Sequence, residues 1–82
     1  ILVNALCPGW VDTEMAHEGL RAFSENLNIS KESAFEQAMN DVPLRKMSEP
    51  DEIAQLTSFL ISDAQTSITG QTLDINNGAM MP

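Results

Sequence analysis

The chain has 82 residues, with 4 Lys or Arg against 12 Asp or Glu, which gives a formal net charge of −8. Such an acidic surface repels nucleic-acid phosphates and anionic lipid headgroups, so we expect neither nucleic acid nor a membrane as a partner. No apolar run reaches the roughly 18 residues that a membrane helix needs. The chain has no tyrosine, so it cannot by itself complete a mechanism that needs a tyrosine acid.

The first predicted element is a strand over residues 1–7. These residues (ILVNALC) are almost all apolar, and the turn signal Pro8-Gly9 ends the run. A continuous apolar run of this length is typical of a strand buried on both faces of a parallel sheet, with Cys7 as a small buried side chain. Because the chain starts inside such a run, we expect it to be a piece of a larger domain.

Two amphipathic helices are predicted next. Asp12 or Thr13 can cap the first, whose apolar side chains recur every three to five residues up to residues 26–28 (NLN). Ser30 can cap the second helix, and Pro43 follows it. The apolar face of this second helix consists of Ala34, Phe35, Ala38, Met39 and Val42.

A third helix and a second strand complete the predicted order. Ser48 is followed three residues later by Asp51, which predicts a capping box, and Pro50 suits the first turn. Residues 72–76 (TLDIN) alternate apolar and polar side chains, as is typical of a strand with one solvent-exposed face. A strand–helix–strand crossover makes the two strands parallel, so the pattern predicts the end of a doubly wound α/β sheet.

Four segments together resemble the short-chain dehydrogenase/reductase family. Residues 3–13 (VNALCPGWVDT) resemble the P-G-x-V-x-T signature that follows the sixth strand of that family. Residues 43–54 (PLRKMSEPDEIA) resemble the entry to its last long helix, and 59–63 (FLISD) and 68–75 (ITGQTLDI) resemble the end of that helix and the last strand. The resemblance implies the C-terminal β-α-α-α-β part of a Rossmann-type NAD(P)-binding domain over residues 1–82, with 14–42 as the variable substrate loop.

The resemblance also implies hydride transfer between a nicotinamide cofactor, NAD or NADP, and a small alcohol or ketone substrate. It assigns the wall beside the nicotinamide and the contacts to its carboxamide or pyrophosphate to Pro8, Gly9, Val11 and Thr13. Substrate contacts are expected from Trp10, Met15 and His17, for which core packing or an exposed helical surface is the alternative. From the spacing alone, the favoured explanation is that Pro8-Gly9 only ends a strand and Thr13 only caps a helix, and the resemblance is what favours a functional role.

Two departures from the family pattern bear on function. The family usually ends its last strand with Val-Asp-Gly-Gly, whereas this chain has Ile75-Asn76-Asn77-Gly78, and Asn77 can adopt the positive φ of a glycine. The Ser, Tyr and Lys of the family's active site lie upstream of the matched segments, so no catalytic residue is predicted in this chain, and no metal ligand. The alternative to an enzyme segment is a non-catalytic fragment or assembly module of the same fold.

The last helix and strand are predicted to form a subunit interface. In the family these elements pack against their copies across a two-fold axis, which here implies a homodimer or homotetramer through residues 53–64 and 68–76. The extra apolar residue Phe59 on the flank of the helix agrees with this expectation, and the alternative is that Phe59 packs on the substrate-loop helices. The family context also implies a cytoplasmic protein.

Overall fold

The computed structural model describes residues 1–80 and has the predicted order of elements. The strands are β1 (Ala5–Pro8) and β2 (Thr72–Ile75), and the helices between them are α1 (Glu14–Leu27), α2 (Lys31–Met39) and α3 (Pro50–Ile61). β1 and β2 pair in parallel, with Ala5 opposite Thr72 and Pro8 opposite Ile75. The α/β class and the parallel strands are therefore confirmed.

Hydrogen bonds extend the pairing beyond both ends of the two strands. Before β1, the Asn4 side chain donates to the carbonyl oxygen of Ile68 (3.0 Å) and accepts from the backbone N–H of Gln71 (3.0 Å). After β1, the Gly9 N–H donates to the Ile75 carbonyl oxygen at 3.2 Å. The chain on both sides of β1 is thus fixed to the β2 region, which sets the position of the loop that follows β1.

The predicted burial of β1 on both faces is wrong for the chain as described. The strand begins at Ala5, and Ile1 and Val3 before it are fully and 69% exposed, while Cys7 is also exposed. Within residues 1–80 the sheet has two strands, so β1 has one hydrogen-bonded neighbour there. A single adjacent strand and one nearby helix cannot cover both faces of β1. Its apolar sequence is nevertheless typical of a strand that is covered on both faces.

α1 and α2 form a helical hairpin that holds most of the core. Its buried side chains are Leu20, Met39, Val42 and Met47, with Trp10, Ala16 and Ala38 packed against them. Asn28 reverses the chain between the helices with φ of 53°, and Ser30 Oγ accepts the Ser33 N–H at the start of α2 (3.1 Å). Because Trp10 packs against this core, the loop after β1 is fixed to the hairpin as well as to β2.

The predicted N-cap of α3 is wrong by one residue. Glu49, not Ser48, precedes the helix, and its backbone N–H donates to Glu52 Oε1 at 2.9 Å. Pro50 occupies the first turn as predicted, where a missing N–H costs little. Ser48 is instead 1% exposed and is used in contacts to the loop after β1.

Candidate functional site

The loop of residues 9–13 leaves the carboxyl end of β1 and leads directly into α1. In open α/β sheets, ligands bind beyond the carboxyl ends of the parallel strands, where the loops and helix N-termini meet. The carboxyl end of β2 lies beside this loop, since Pro8 pairs with Ile75. The loop, which we call the β1–α1 loop, therefore occupies the place where this class of fold binds ligands.

Gly9 fits against the end of β2 with no room for a side chain. A Cβ built on Gly9 would lie 2.8 Å from Asn76 Cβ and 3.1 Å from Asn76 Cα. The Gly9 N–H also donates to the Ile75 carbonyl oxygen (3.2 Å). The close approach explains the glycine at this position and fixes the first half of the loop to β2.

The second half of the loop is held by the backbone of Ser48. The Ser48 N–H donates to the Trp10 carbonyl oxygen, and the Asp12 N–H donates to the Ser48 carbonyl oxygen, both at 2.9 Å. This pairing is a parallel bridge centred on Val11. Because peptide groups alternate in direction along an extended chain, the N–H and C=O of Val11 point away from Ser48.

The Val11 backbone groups are consequently available on the open side of the loop. No acceptor among residues 1–80 takes the Val11 N–H, and its carbonyl oxygen accepts only the Thr13 hydroxyl, at 3.3 Å. An N–H and a C=O on one residue match the acceptor and donor of a primary carboxamide. The geometry at Val11 therefore suits the contact that the family resemblance implies there.

Thr13 is the N-cap of α1, as one of the two sequence alternatives predicted. Its Oγ1 accepts the Ala16 N–H at 3.3 Å and donates to the Val11 carbonyl oxygen at 3.3 Å. Both distances are at the long end of the range for such bonds, and Thr13 is exposed. The hydroxyl keeps one unused lone pair and lies beside the free amides of the first helical turn, where anions bind readily.

An open cavity of about 610 Å³ brings most of the predicted site residues together. It is lined by Gly9, Trp10, Val11, Thr13, Met15, Ala16 and Ala79. Met15 is 82% exposed and is thus not a core residue, whereas Trp10 both lines the cavity and packs on the helical core. Pro8 lies outside this cavity and lines a second groove of about 650 Å³ between the loop and α3.

His17 stands apart from the other predicted site residues. Its Nε2 lies 2.6 Å from Asp12 Oδ1, so this pair connects the β1–α1 loop with α1, and its buried Nδ1 has no partner among the described residues. His17 lines a different groove, between α1 and α2, with Leu20 and Phe35. Its predicted substrate contact stays a prediction.

No group of three or more metal-binding side chains occurs within residues 1–80.

Sequence reasoning missed the contribution of Ser48 and the side-chain role of Asn77. The predicted positive φ of Asn77 is confirmed at 56°. The Asn77 side-chain amide donates to the Lys46 carbonyl oxygen (3.0 Å) and to Ser48 Oγ (3.2 Å). No local sequence pattern predicts these contacts. The sequence marked Ser48 only as a candidate helix cap, which gave no signal of these contacts.

The charged groups near the start of α3 pair with each other. Lys46 Nζ lies 3.4 Å from Glu52 Oε1. The hydrogen bond from the Glu49 backbone N–H holds the pKa of the Glu52 carboxyl below its usual value; desolvation opposes this effect and the Lys46 ammonium adds to it.

Comparison with known proteins identifies the family. A family model described as enoyl-(acyl carrier protein) reductase matches residues 1–80. A short-chain dehydrogenase family protein from Francisella tularensis superposes with a TM-score of 0.89 at 37% identity over 96% of this chain. The chain therefore belongs to the short-chain dehydrogenase/reductase family of oxidoreductases, which have a Rossmann-type fold, as its motifs predicted.

Two further similarities are informative. An acetoacetyl-CoA reductase from Shinella zoogloeoides is 42% identical over 95% of this chain. An actinorhodin polyketide ketoreductase, solved with NADPH, superposes with a TM-score of 0.84 at 35% identity over 96% of this chain. The chain spans only 28% of the Shinella protein, 30% of the ketoreductase and 33% of the Francisella protein.

Proposed function

We propose that this chain is the C-terminal segment of an NAD(P)-dependent oxidoreductase and forms the wall of its nicotinamide site. The observation that carries the proposal is the β1–α1 loop, in which Val11 presents an N–H without an acceptor among residues 1–80 next to an open cavity. The family relationship and the position of the loop at the carboxyl ends of the strands support the same assignment.

In this proposal the chain positions the cofactor and does not perform the proton transfer. The nicotinamide supplies hydride transfer to or from a carbonyl or alcohol carbon. Val11 binds the carboxamide through its N–H and C=O, while Thr13 contributes its hydroxyl and the adjacent free amides of α1. Pro8 and Gly9 shape the wall, and Trp10 and Met15 line the space left for substrate.

The chemical class of the substrate is proposed to be a small alcohol or ketone. Acetoacetyl-CoA reductase and a ketoreductase are among the relatives, and the latter was solved with NADPH, so NADPH is the cofactor to test first. The 82 residues contain no tyrosine. The tyrosine acid that the family resemblance implies must therefore come from other parts of the full-length polypeptide, which we call the intact protein.

Substitution of Thr13 tests the proposal. In the intact protein, Thr13→Ala removes an N-cap and is expected to cost about 1 kcal/mol of unfolding free energy. It should also weaken the binding of NADPH or NADH, measured by isothermal titration calorimetry. Ser30→Ala is the matched control, because it removes the equivalent cap of α2 away from the loop and should leave the cofactor Kd unchanged.

Two results would contradict the proposal. One is an intact protein that binds neither NADH nor NADPH, which would favour the assembly-module alternative. The other is an unchanged cofactor Kd in Thr13→Ala alongside the same stability loss as Ser30→Ala, which would limit Thr13 to helix capping.

The subunit interface through residues 53–64 and 68–76 is also a proposal. Phe59 and Ile61 on α3 are 44% and 81% exposed, and exposed apolar side chains of this size suit an interface between copies. Light scattering of the intact protein tests it, since Phe59→Glu should lower the mass from that of a dimer or tetramer. An unchanged mass would place the interface elsewhere.

No helix within residues 1–80 has the length and apolar character that crossing a membrane requires.

A further inference from the structure

Asn77, in the turn that follows β2, is bonded to one short segment at three points. Its carbonyl oxygen accepts the Leu44 N–H at 3.2 Å, and its side-chain Nδ2 donates to the Lys46 carbonyl oxygen (3.0 Å) and to Ser48 Oγ (3.2 Å). All three partners lie in the connection between α2 and α3. Asn77 therefore fixes this connection to the end of β2.

Ser48 links Asn77 to the β1–α1 loop and so helps to hold that loop in place. Its side chain is held by Asn77, while its backbone N–H and C=O pair with Trp10 and Asp12, on either side of Val11. Ser48 is 1% exposed, so neither its hydroxyl nor its backbone has water as an easy substitute partner. The orientation of the Val11 N–H thus depends on a residue that Asn77 holds in place.

Few residues could do what Asn77 does at this position. Its φ of 56° lies in the left-handed region, which glycine, asparagine and aspartate tolerate best. Glycine would keep the backbone and lose both side-chain donors, and an aspartate carboxylate would face the Lys46 carbonyl oxygen with no proton to donate. Asparagine alone of the three combines the backbone conformation with the two donated hydrogen bonds.

We propose that Asn77 is a positioning residue for cofactor binding, which acts through Ser48 to hold the Val11 backbone toward the nicotinamide. The inference rests on the proposed function, since it concerns the same loop. Asn77 itself does not line the cavity beside the loop. Its effect should appear in cofactor affinity and not in contacts with the substrate.

The test uses a matched pair of variants of the intact protein. Asn77→Gly keeps the backbone conformation and removes both donors, while Asn28→Gly makes the same change at another left-handed asparagine, φ 53°, whose side chain makes no hydrogen bond to residues 1–80. Losing the donors should raise the Kd and KM for NADPH about three- to tenfold, with the substrate KM little changed. Asn28→Gly should change neither cofactor constant.

A second variant tests the route through Ser48. Ser48→Ala removes the hydroxyl that Asn77 holds, and it should raise the cofactor Kd in the natural background but add little to Asn77→Gly. Asn77→Asp should weaken cofactor binding at least as much as Asn77→Gly does. The Ser48 variant keeps the inference testable if Asn77→Gly does not fold.

The outcomes separate the inference from the proposed function. An intact protein that binds no nicotinamide cofactor contradicts the proposed function and the inference with it. Three outcomes overturn only the role of Asn77. Cofactor binding is unchanged in Asn77→Gly, or it is weakened equally in Asn28→Gly, or the substrate KM of Asn77→Gly rises as much as its cofactor KM. Additive effects of Ser48→Ala and Asn77→Gly would overturn the route through Ser48.

Discussion

Gly9→Ala is the substitution whose effect follows most directly from the structure. The added Cβ would lie 2.8 Å from Asn76 Cβ, whereas carbon atoms in ordinary contact are about 3.5–4.0 Å apart, so the overlap is about 0.7 Å or more. The atoms it meets are a Cβ and a Cα, which cannot rotate away. The φ of Gly9 is not positive, so the cost comes from contact and not from backbone strain.

Relief of this overlap requires the β1–α1 loop to move away from β2. That movement lengthens the hydrogen bond from Gly9 to Ile75, now 3.2 Å, and displaces the Val11 N–H beyond it. Overpacking of this kind costs about 1–3 kcal/mol of unfolding free energy. Urea unfolding of the intact protein measures that cost, and calorimetric titration with NADPH should show weaker binding.

Gly19→Ala provides the matched control for Gly9→Ala. Nothing lies within 4 Å of a Cβ built on Gly19, which is in α1, so alanine there should stabilise the protein by about 0.5–1 kcal/mol. A Gly9→Ala protein with unchanged stability and unchanged NADPH affinity would refute the close approach of the loop to Asn76. Asn76→Gly in the Gly9→Ala background should recover part of the lost stability, since it removes the nearer of the two clashing atoms.

Three further predictions concern stability. The Glu49 N–H lowers the pKa of Glu52, so the Glu52 carboxylate stabilises the fold above its unfolded pKa, and this stabilisation is lost as pH falls through the folded pKa. The difference in Tm between the natural protein and Glu52→Gln should therefore shrink from pH 7 to pH 3. A difference in Tm that stays constant over this range would contradict the prediction. Gly78→Ala should destabilise by about 1–3 kcal/mol in urea unfolding because φ is 87° and the new Cβ would lie 3.0 Å from Pro43 Cγ; an unchanged midpoint would show that the turn relaxes freely. Ser30→Ala should cost about 1 kcal/mol through the lost cap of α2, and Ser30→Asp should restore it.

Features determined by local chemistry could be predicted from the sequence. The caps at Thr13 and Ser30 and the left-handed turn at Asn77 each depend on one side chain and its immediate backbone, and each is confirmed. The order of elements follows from periodicity, which is also local. The β1–α1 loop was located for the same reason, since the turn residues Pro8-Gly9 mark the end of a strand.

Features determined by distant contacts could not be predicted in this way. The sequence around Ser48 fits a capping box, but the Ser48 backbone pairs with Trp10 and Asp12, so the cap moves to Glu49. The exposure of β1 differs from its apolar pattern because burial depends on which elements cover a strand. The bonds from Asn77 to Lys46 and Ser48 join segments about 30 residues apart, which no sequence window contains.

The anchors of the β1–α1 loop also set the order in which the site can form. Asn4 and Gln71, which help to align the strands, are 67 residues apart, and Gly9 reaches its hydrogen-bond partner only at Ile75. On the ribosome, the α1–α2 hairpin can form from local contacts while the loop still lacks β2. The loop is therefore fixed only after β2 has been synthesised, and a polypeptide truncated before β2 would retain helices but have an unfixed cofactor-binding loop.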